Sequence, residues 1–345
     1  MGLSIMANRA QGNCIACHDI PAWRGEVAPL SRLTLQGNFG PSLQGVGKRY
    51  SPQQLRQWIV DARVMRPDTL MPPYGTTHGL NAPARSQPLL SDAQIDAVAA
   101  TLSRFMQDGP EPSAQSGVSA PPEVSTSAQL QSVQDMNPVV FWVEQGRQVW
   151  TRDCAACHAV TQVAQTVPHF PRLDGQRKLI NLEDQILQCR QRTRSTQRSA
   201  SVTAEDRITL GLSAFLHELA RGQSIRMDAP GEPAVAAMWQ QQLAAGEQLF
   251  NTRMGHMNLS CRQCHEDKVG ASMRAFRVTS GHPIGFPAYR ISWQGLGSIE
   301  RRIRACFSGV QAQVPAAQDP RLRQLELYLK YRARGMAIEG PAVRP

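Results

Sequence analysis

The stretch Cys261-Arg262-Gln263-Cys264-His265 decides how the rest of this 345-residue chain is read. Two spaced cysteines followed directly by a histidine form the c-type haem attachment pattern, with two thioether anchors and one axial imidazole. The pattern recurs at Cys14-Ile15-Ala16-Cys17-His18 and at Cys154-Ala155-Ala156-Cys157-His158. A lone Cys-x-x-Cys also serves zinc or thiol redox chemistry, but three copies, each with its histidine, point to haem. The expectation is three covalently bound haem c groups, anchored by Cys14, Cys17, Cys154, Cys157, Cys261 and Cys264. His18, His158 and His265 are then iron ligands.

Of the eight cysteines, Cys189 and Cys306 belong to no pair. Cys306 lies in Ile299-Glu300-Arg301-Arg302-Ile303-Arg304-Ala305-Cys306-Phe307, which reads as a helix with an arginine-rich surface. Arg302 precedes the thiol by one turn on the same face. A cysteine well downstream of an attachment motif stands where the second axial ligand ordinarily comes from. A thiolate on iron beside a guanidinium suits redox chemistry on an anionic sulfur compound. Cys189 lies on a comparable stretch over residues 182–190, and that parallel makes both cysteines candidate ligands. A buried inert thiol, or a Cys189–Cys306 disulfide, is the alternative. His78, His169, His217, His256 and His282 lie outside the motifs and read as structural, although each is a rival for a ligand position.

Composition narrows the class. Hydrophobic residues make up 41 % and charged residues 19 %, as in a globular protein. No apolar run of about 20 residues is present, so no membrane span is expected. The formal charge of +10 suggests anionic partners, or arginines kept for solubility. From Gly246 onward there are 15 Lys and Arg against 7 Asp and Glu, so the excess is concentrated in the last third. Nothing calls for nucleic acid. Covalent haem attachment implies assembly outside the cytoplasm, and the first residues are too short and uncharged for a secretion signal. A processed or truncated periplasmic protein is the expectation.

The chain reads as three domains of about 100 residues, a spacing that indicates duplication rather than a short solenoid repeat. Residues 1–107 form the first. Gly40-Pro41-Ser42-Leu43 with Gly45 and Gly47 is turn-rich, and Ser51-Pro52 opens a helix with a serine cap and an early proline. Leu55, Trp58, Ile59 and Ala62 keep helical spacing. Met71-Pro72-Pro73-Tyr74-Gly75 reads as a loop, and Ser91 caps a closing helix. Met71 is the expected sixth ligand; Met65 is its rival, and a core role for Met71 is the other reading. Residues 108–135 turn to Pro, Ser, Ala, Gln and Gly and read as a linker. Residues 136–228 and 229–345 repeat the plan. Gly146 to Trp150 precedes Cys154, Gly246 to Phe250 precedes Cys261, and helices over 205–219 and 321–334 close the copies. The expected fold is all-α, three c-type cytochrome domains.

Several of these motifs resemble a known family. Asn258-Leu259-Ser260-Cys261, Phe286-Pro287-Ala288-Tyr289-Arg290, Ser292-Trp293-Gln294, Arg301-Arg302-Ile303-Arg304-Ala305-Cys306 and Leu325-Glu326-Leu327-Tyr328 resemble the SoxA subunit of the SoxXA cytochromes. Residues from about 137 to 228 are similar to the SoxA amino-terminal domain in its two-haem form. The first hundred, through Gly40-Pro41-Ser42-Leu43 and Leu70-Met71-Pro72-Pro73-Tyr74-Gly75, are similar to SoxX. The departure is covalent: two usually separate chains stand here as one, X–linker–A.

The resemblance implies an enzyme that couples thiosulfate oxidatively to a cysteine of the carrier protein SoxYZ. It implies Cys306 as the active-site ligand, seen in the family as a persulfide, with Arg302 as its cation. Cys189 would ligate the middle haem and Met71 the SoxX haem. Thiolate ligation lowers and His/Met ligation raises a haem potential, so electrons would run from the Cys-ligated haems to the His/Met haem. From there a small c-type cytochrome or similar acceptor would collect them. Two other functions remain: a thiosulfate dehydrogenase making tetrathionate, and a multihaem electron-transfer protein with no substrate site.

Overall fold

The computed structural model describes residues 1–20, 36–106, 137–193, 202–274 and 276–344. The expected linker over 108–135 lies outside the described residues. The helices are α1 (Gly2–Ala7), α2 (Val46–Arg49), α3 (Pro52–Met65), α4 (Asp92–Leu102), α5 (Val139–Asp153) and α6 (Val160–Thr166). They continue with α7 (Leu182–Thr193), α8 (Arg207–Leu219), α9 (Pro233–Asn251), α10 (Cys261–His265), α11 (Ile299–Gly309) and α12 (Pro320–Arg332). The strands are β1 (Arg172–Leu173), β2 (Leu179–Ile180), β3 (Ser272–Met273), β4 (Phe276–Arg277), β5 (Ala288–Arg290), β6 (Gly295–Gly297) and β7 (Ala342–Arg344). The fold is thus mostly helical, as expected. It is not purely so, because short strands sit in the connections between helices.

The chain divides into two compact units. One comprises Met1–Glu123, Asn251–Ser280 and Phe307–Val314; the other comprises Val124–Phe250, Gly281–Cys306 and Pro315–Pro345. In the first unit, α3 and α4 begin as their sequences require. Ser51 and Gln54 cap each other's backbone N–H groups, with Pro52 at the first helical position. Ser91 and Gln94 do the same for α4. These reciprocal caps satisfy donors that a helix start otherwise leaves orphaned. Leu55, Ile59, Ile95, Val98 and Leu102 then bury one shared face together with Ile5 and Met6. The proline loop is laid along α3 by two backbone bonds, from Tyr74 N–H to the Ile59 carbonyl and from Gly75 N–H to that of Val60, both 3.0 Å.

The same unit takes in residues 253–260, in the stretch between α9 and α10. His256 and Met257 N–H groups bond the Gln311 and Val310 carbonyls, each at 3.1 Å. Gly255 has φ +69°, and a Cβ there would sit 2.2 Å from the Val310 carbonyl oxygen. Only glycine tolerates both the left-handed backbone and that approach.

In the second unit α5 crosses α8, and α9 lies against α12. A Cβ on Gly146 would come 2.0 Å from the Gly211 carbonyl oxygen, and one on Gly246 would come 2.0 Å from that of Gln324. The first unit repeats the device: a Cβ on Gly2 of α1 would come 2.4 Å from the Ala97 carbonyl oxygen on α4. Four residues after each glycine stands a buried large side chain, Met6, Trp150 or Phe250. The two glycine-led stretches read from sequence therefore mark close helix crossings, and a third begins at Gly2. Helix starts shift slightly from expectation. Asp206 accepts the Ile208 and Thr209 N–H groups, so α8 begins at Arg207; Asp319 likewise starts α12 at Pro320. Strand β5 pairs antiparallel with β6 and parallel with β7.

Candidate haem and thiolate sites

The first and third motifs lie in the same unit, and their histidines are held alike. His18 Nδ1 is 2.7 Å from the Pro41 carbonyl oxygen, and His265 Nδ1 is 2.7 Å from that of Thr279. An Nδ1–H donated to a carbonyl leaves the Nε2 lone pair for a metal and fixes the ring plane. Gly40 makes room for this: a Cβ there would lie 2.6 Å from His18 Cε1. These residues fit a haem whose iron they would hold through Nε2. Cys17 and Cys264 pack against one apolar cluster of Phe39, Leu259 and Ala271. Burial pushes the Cys17 thiol up to about 12, with a further contribution from Cys264. The anchors of the first and third motifs thus share one apolar environment, which nothing in their spacing announced. Met71 packs on the cluster that also receives Cys14, and its N–H bonds Thr69 Oγ1 at 3.1 Å.

The second motif lies in the other unit, on the core that holds Trp150 and Phe215. The His158 and Trp150 rings are tilted at 6.3 Å. Burial, first, and then the charges of Asp153, Cys189 and Cys157 raise the Cys154 thiol, so Cys189 lies within electrostatic reach of an anchor of this motif. Among the described residues no Cys189–Cys306 disulfide is formed.

The two lone cysteines sit on helices built alike. Asn181 Oδ1 accepts the Asp184 N–H at 2.9 Å at the start of α7. Ser298 Oγ accepts the Arg301 N–H at 3.2 Å at the start of α11. Each cysteine follows its capping residue at the same spacing, and each helix has a glutamate two residues after the cap, Glu183 or Glu300. The residue one turn before the thiol differs. On α7 it is Gln185, whose Nε2 lies 3.7 Å from Cys189 Sγ. On α11 it is Arg302.

Around Cys306 the charge is cationic. Arg290 on β5 is half-buried and lies within electrostatic reach of Arg302, Cys306 and Arg344. Burial, first, and then Arg302 lower the Arg290 pKa to about 10, while Cys306 opposes the shift. The strand register places Arg344 of β7 beside Arg290. The Arg290 and Arg301 guanidiniums lie 5.3 and 4.4 Å from the Trp293 ring centroid, within cation–π range. Arg290 Nε is buried without a hydrogen-bond partner. A guanidinium held that way is a ready donor for an oxyanion. Sequence reasoning did not single out Arg290 as a site residue. Its only local signal was membership of the Tyr289-Arg290 stretch, and no spacing ties that to Cys306.

Two rival histidines have internal partners. His217 Nδ1 is 2.9 Å from the Ser213 carbonyl oxygen, and His256 Nε2 is 3.0 Å from that of Arg85. Among the described residues no helix is long and apolar enough to cross a membrane.

Comparison with known proteins places these features. A family model described as SoxA/TsdA, cytochrome c domain, matches residues 245–338. The L-cysteine S-thiosulfotransferase subunit SoxA of Pseudaminobacter salicylatoxidans is 32 % identical over 219 residues, covering 60 % of this chain and 73 % of that protein. The subunit of the same name from Paracoccus pantotrophus is 27 % identical, over 60 % of this chain and 72 % of its own. The crystal structure of SoxXA from P. pantotrophus superposes with a TM-score of 0.56 and 26 % identity, covering 63 % of this chain and 84 % of that one.

Proposed function

The chain belongs to the family of the L-cysteine S-thiosulfotransferase subunit SoxA, and from that premise we propose that it conjugates thiosulfate oxidatively to a cysteine of a SoxYZ-like carrier. The balance is one carrier thiol and one thiosulfate giving a sulfonate-capped disulfide on the carrier, one proton and two electrons. The observation that carries the reading is the group of guanidiniums around Cys306. Arg302 and Arg290 bind the sulfonate end of thiosulfate, the charge-assisted contact for which a forked donor is suited. Cys306 takes thiosulfate first, its thiolate joining the outer sulfur as the two electrons leave; the carrier thiol then attacks that sulfur, loses its proton and releases the Cys306 thiolate, so the sum is unchanged.

Three haem c groups complete the proposal, on Cys14 and Cys17, Cys154 and Cys157, and Cys261 and Cys264. When bound they would supply one-electron acceptors on the way to an external acceptor such as a small cytochrome c. His18, Met71, His158, Cys189, His265 and Cys306 are the proposed iron ligands. The packing of Met71 on the cluster that receives Cys14 supports it over Met65. The three glycine-led helix crossings support three domains, 1–107, 136–228 and 229–345, joined as a SoxX-like part, a linker over 108–135 and a two-haem SoxA-like part. Haem attachment and the family support a periplasmic location.

The test is carrier-dependent. Incubation with thiosulfate, an oxidised cytochrome and a SoxYZ-like carrier should add thiosulfate mass to one carrier cysteine and reduce the acceptor by two equivalents. Because the matching family model also covers TsdA, tetrathionate formed without a carrier is the second reading, and that product would replace the first.

A further inference from the structure

The second unit buries a set of charged side chains for which the proposed chemistry has no use. At its centre is Arg323 on α12, whose side chain is 4 % exposed. Its Nε and Nη2 reach the two carboxylate oxygens of Asp184 at 2.5 and 2.8 Å, a forked contact. Its Nη1 lies 2.6 Å from Glu300 Oε2, an ion pair without hydrogen-bond alignment. Glu326 Oε2, one turn along the same helix, is 3.7 Å away and accepts from Asn181 Nδ2 at 3.0 Å. Asp184 lies in the first turn of α7 and Glu300 in the first turn of α11. One guanidinium therefore holds the starts of the two helices that carry Cys189 and Cys306.

We propose that Arg323 is a positioning residue that sets α7 and α11 in register, so that a single side chain fixes the placement of both lone thiols. The proposal rests on the reading that Cys189 and Cys306 ligate iron. Asp184 and Glu300 are about 7.5 and 9 Å of helix from their cysteines at 1.5 Å per residue. A helix is stiff over that length, so a displaced first turn carries the thiol with it. Stability alone does not explain the arrangement, since buried ion clusters are often matched or bettered by apolar packing of similar volume. What an apolar side chain lacks is the fixed fork that engages two carboxylates in different directions. The carboxylates also serve the helices directly. Asp184 accepts the Asn181 N–H at 3.3 Å, and both acids sit at the positive end of a helix dipole.

The experiment uses the haem-loaded full chain and reads the low-spin thiolate signals by electron paramagnetic resonance, with potentials by redox titration. Cys189→Met and Cys306→Met first assign one signal to each cysteine. If neither changes a signal, the ligand reading fails, and the clamp with it. With the signals assigned, Asp184→Asn should shift or broaden the Cys189 signal alone, and Glu300→Gln the Cys306 signal alone. Arg323→Lys, which keeps the charge but loses the fork, should shift both, with the haem count unchanged. Should Arg323→Lys fail to accumulate as loaded protein, the two one-sided variants decide by themselves. Signals and potentials identical to the parent in Asp184→Asn and Glu300→Gln, with only thermal stability lowered, would overturn the proposal and leave Arg323 a structural ion pair.

Discussion

Gln185 Nε2 lies 3.7 Å from Cys189 Sγ, one helical turn ahead of it on α7. In the corresponding position on α11, one turn ahead of Cys306, stands Arg302. A neutral amide one turn ahead of one thiol and an arginine one turn ahead of the other separate two otherwise similar helices by charge. On the proposed reading, an anionic substrate would be drawn to the second and not to the first.

On the proposed reading, Cys306→Met keeps a sulfur for iron but removes the thiolate that acts as nucleophile. It should retain three covalent haems and lose conjugation to the carrier, measured as mass added to the carrier cysteine. Cys189→Met should alter one thiolate signal while conjugation continues. The reverse pattern would move the chemistry to α7.

Arg290→Gln should weaken thiosulfate use while leaving the haem spectrum in place. A hydrogen bond to a charged group contributes about 1.5–3 kcal/mol, so kcat/KM for thiosulfate should fall roughly 10- to 100-fold. Steady-state kinetics check this, and a redox titration separates it from a role at a haem propionate. A shifted potential with unchanged kcat/KM would assign Arg290 to the propionate.

Glu205 is buried against the start of α11, where the Ser298 hydroxyl donates to it. Burial, reinforced by Glu183 and Glu300, raises its pKa from 4.5 to about 7. Between those values the folded chain binds a proton that the unfolded chain has released. Stability from this group is therefore present at low pH and lost as pH rises through about 7. Thermal scans at pH 5 and pH 8 should show Glu205→Gln gaining stability relative to the parent at pH 8 more than at pH 5, whatever the parent's own trend, to which buried His217 contributes with the opposite sign. An equal pH 5 to pH 8 difference in both proteins would exclude a contribution from Glu205.

Gly246→Ala places a Cβ 2.0 Å from the Gln324 backbone oxygen, where no side chain can move aside. Overpacking of this kind costs about 1–3 kcal/mol or more. Gly175→Ala, with nothing within 4 Å of the new Cβ, is the matched control. Denaturant titration should separate the two variants clearly; equal stability would mean that α9 and α12 separate without loss.

The sequence by itself determined what depends on near neighbours along the chain. Thioether attachment needs only Cys-x-x-Cys-His. The starts of α3 and α4 were legible because a serine and a glutamine three residues on cap each other locally. The likeness of the stretches around Cys189 and Cys306 was legible for the same reason. Tertiary structure alone decided what lies far apart in the chain. The Pro41 and Thr279 carbonyls orient His18 and His265, Cys17 and Cys264 share an apolar cluster, and Arg290 joins Arg302 near Cys306. Arg323 joins Asp184 to Glu300, and no local pattern pairs an arginine with an aspartate 139 residues away. Helix periodicity and capping are set by hydrogen bonds a few residues long. Which charges meet in the interior is set by how the helices pack, and that packing is a property of the whole chain.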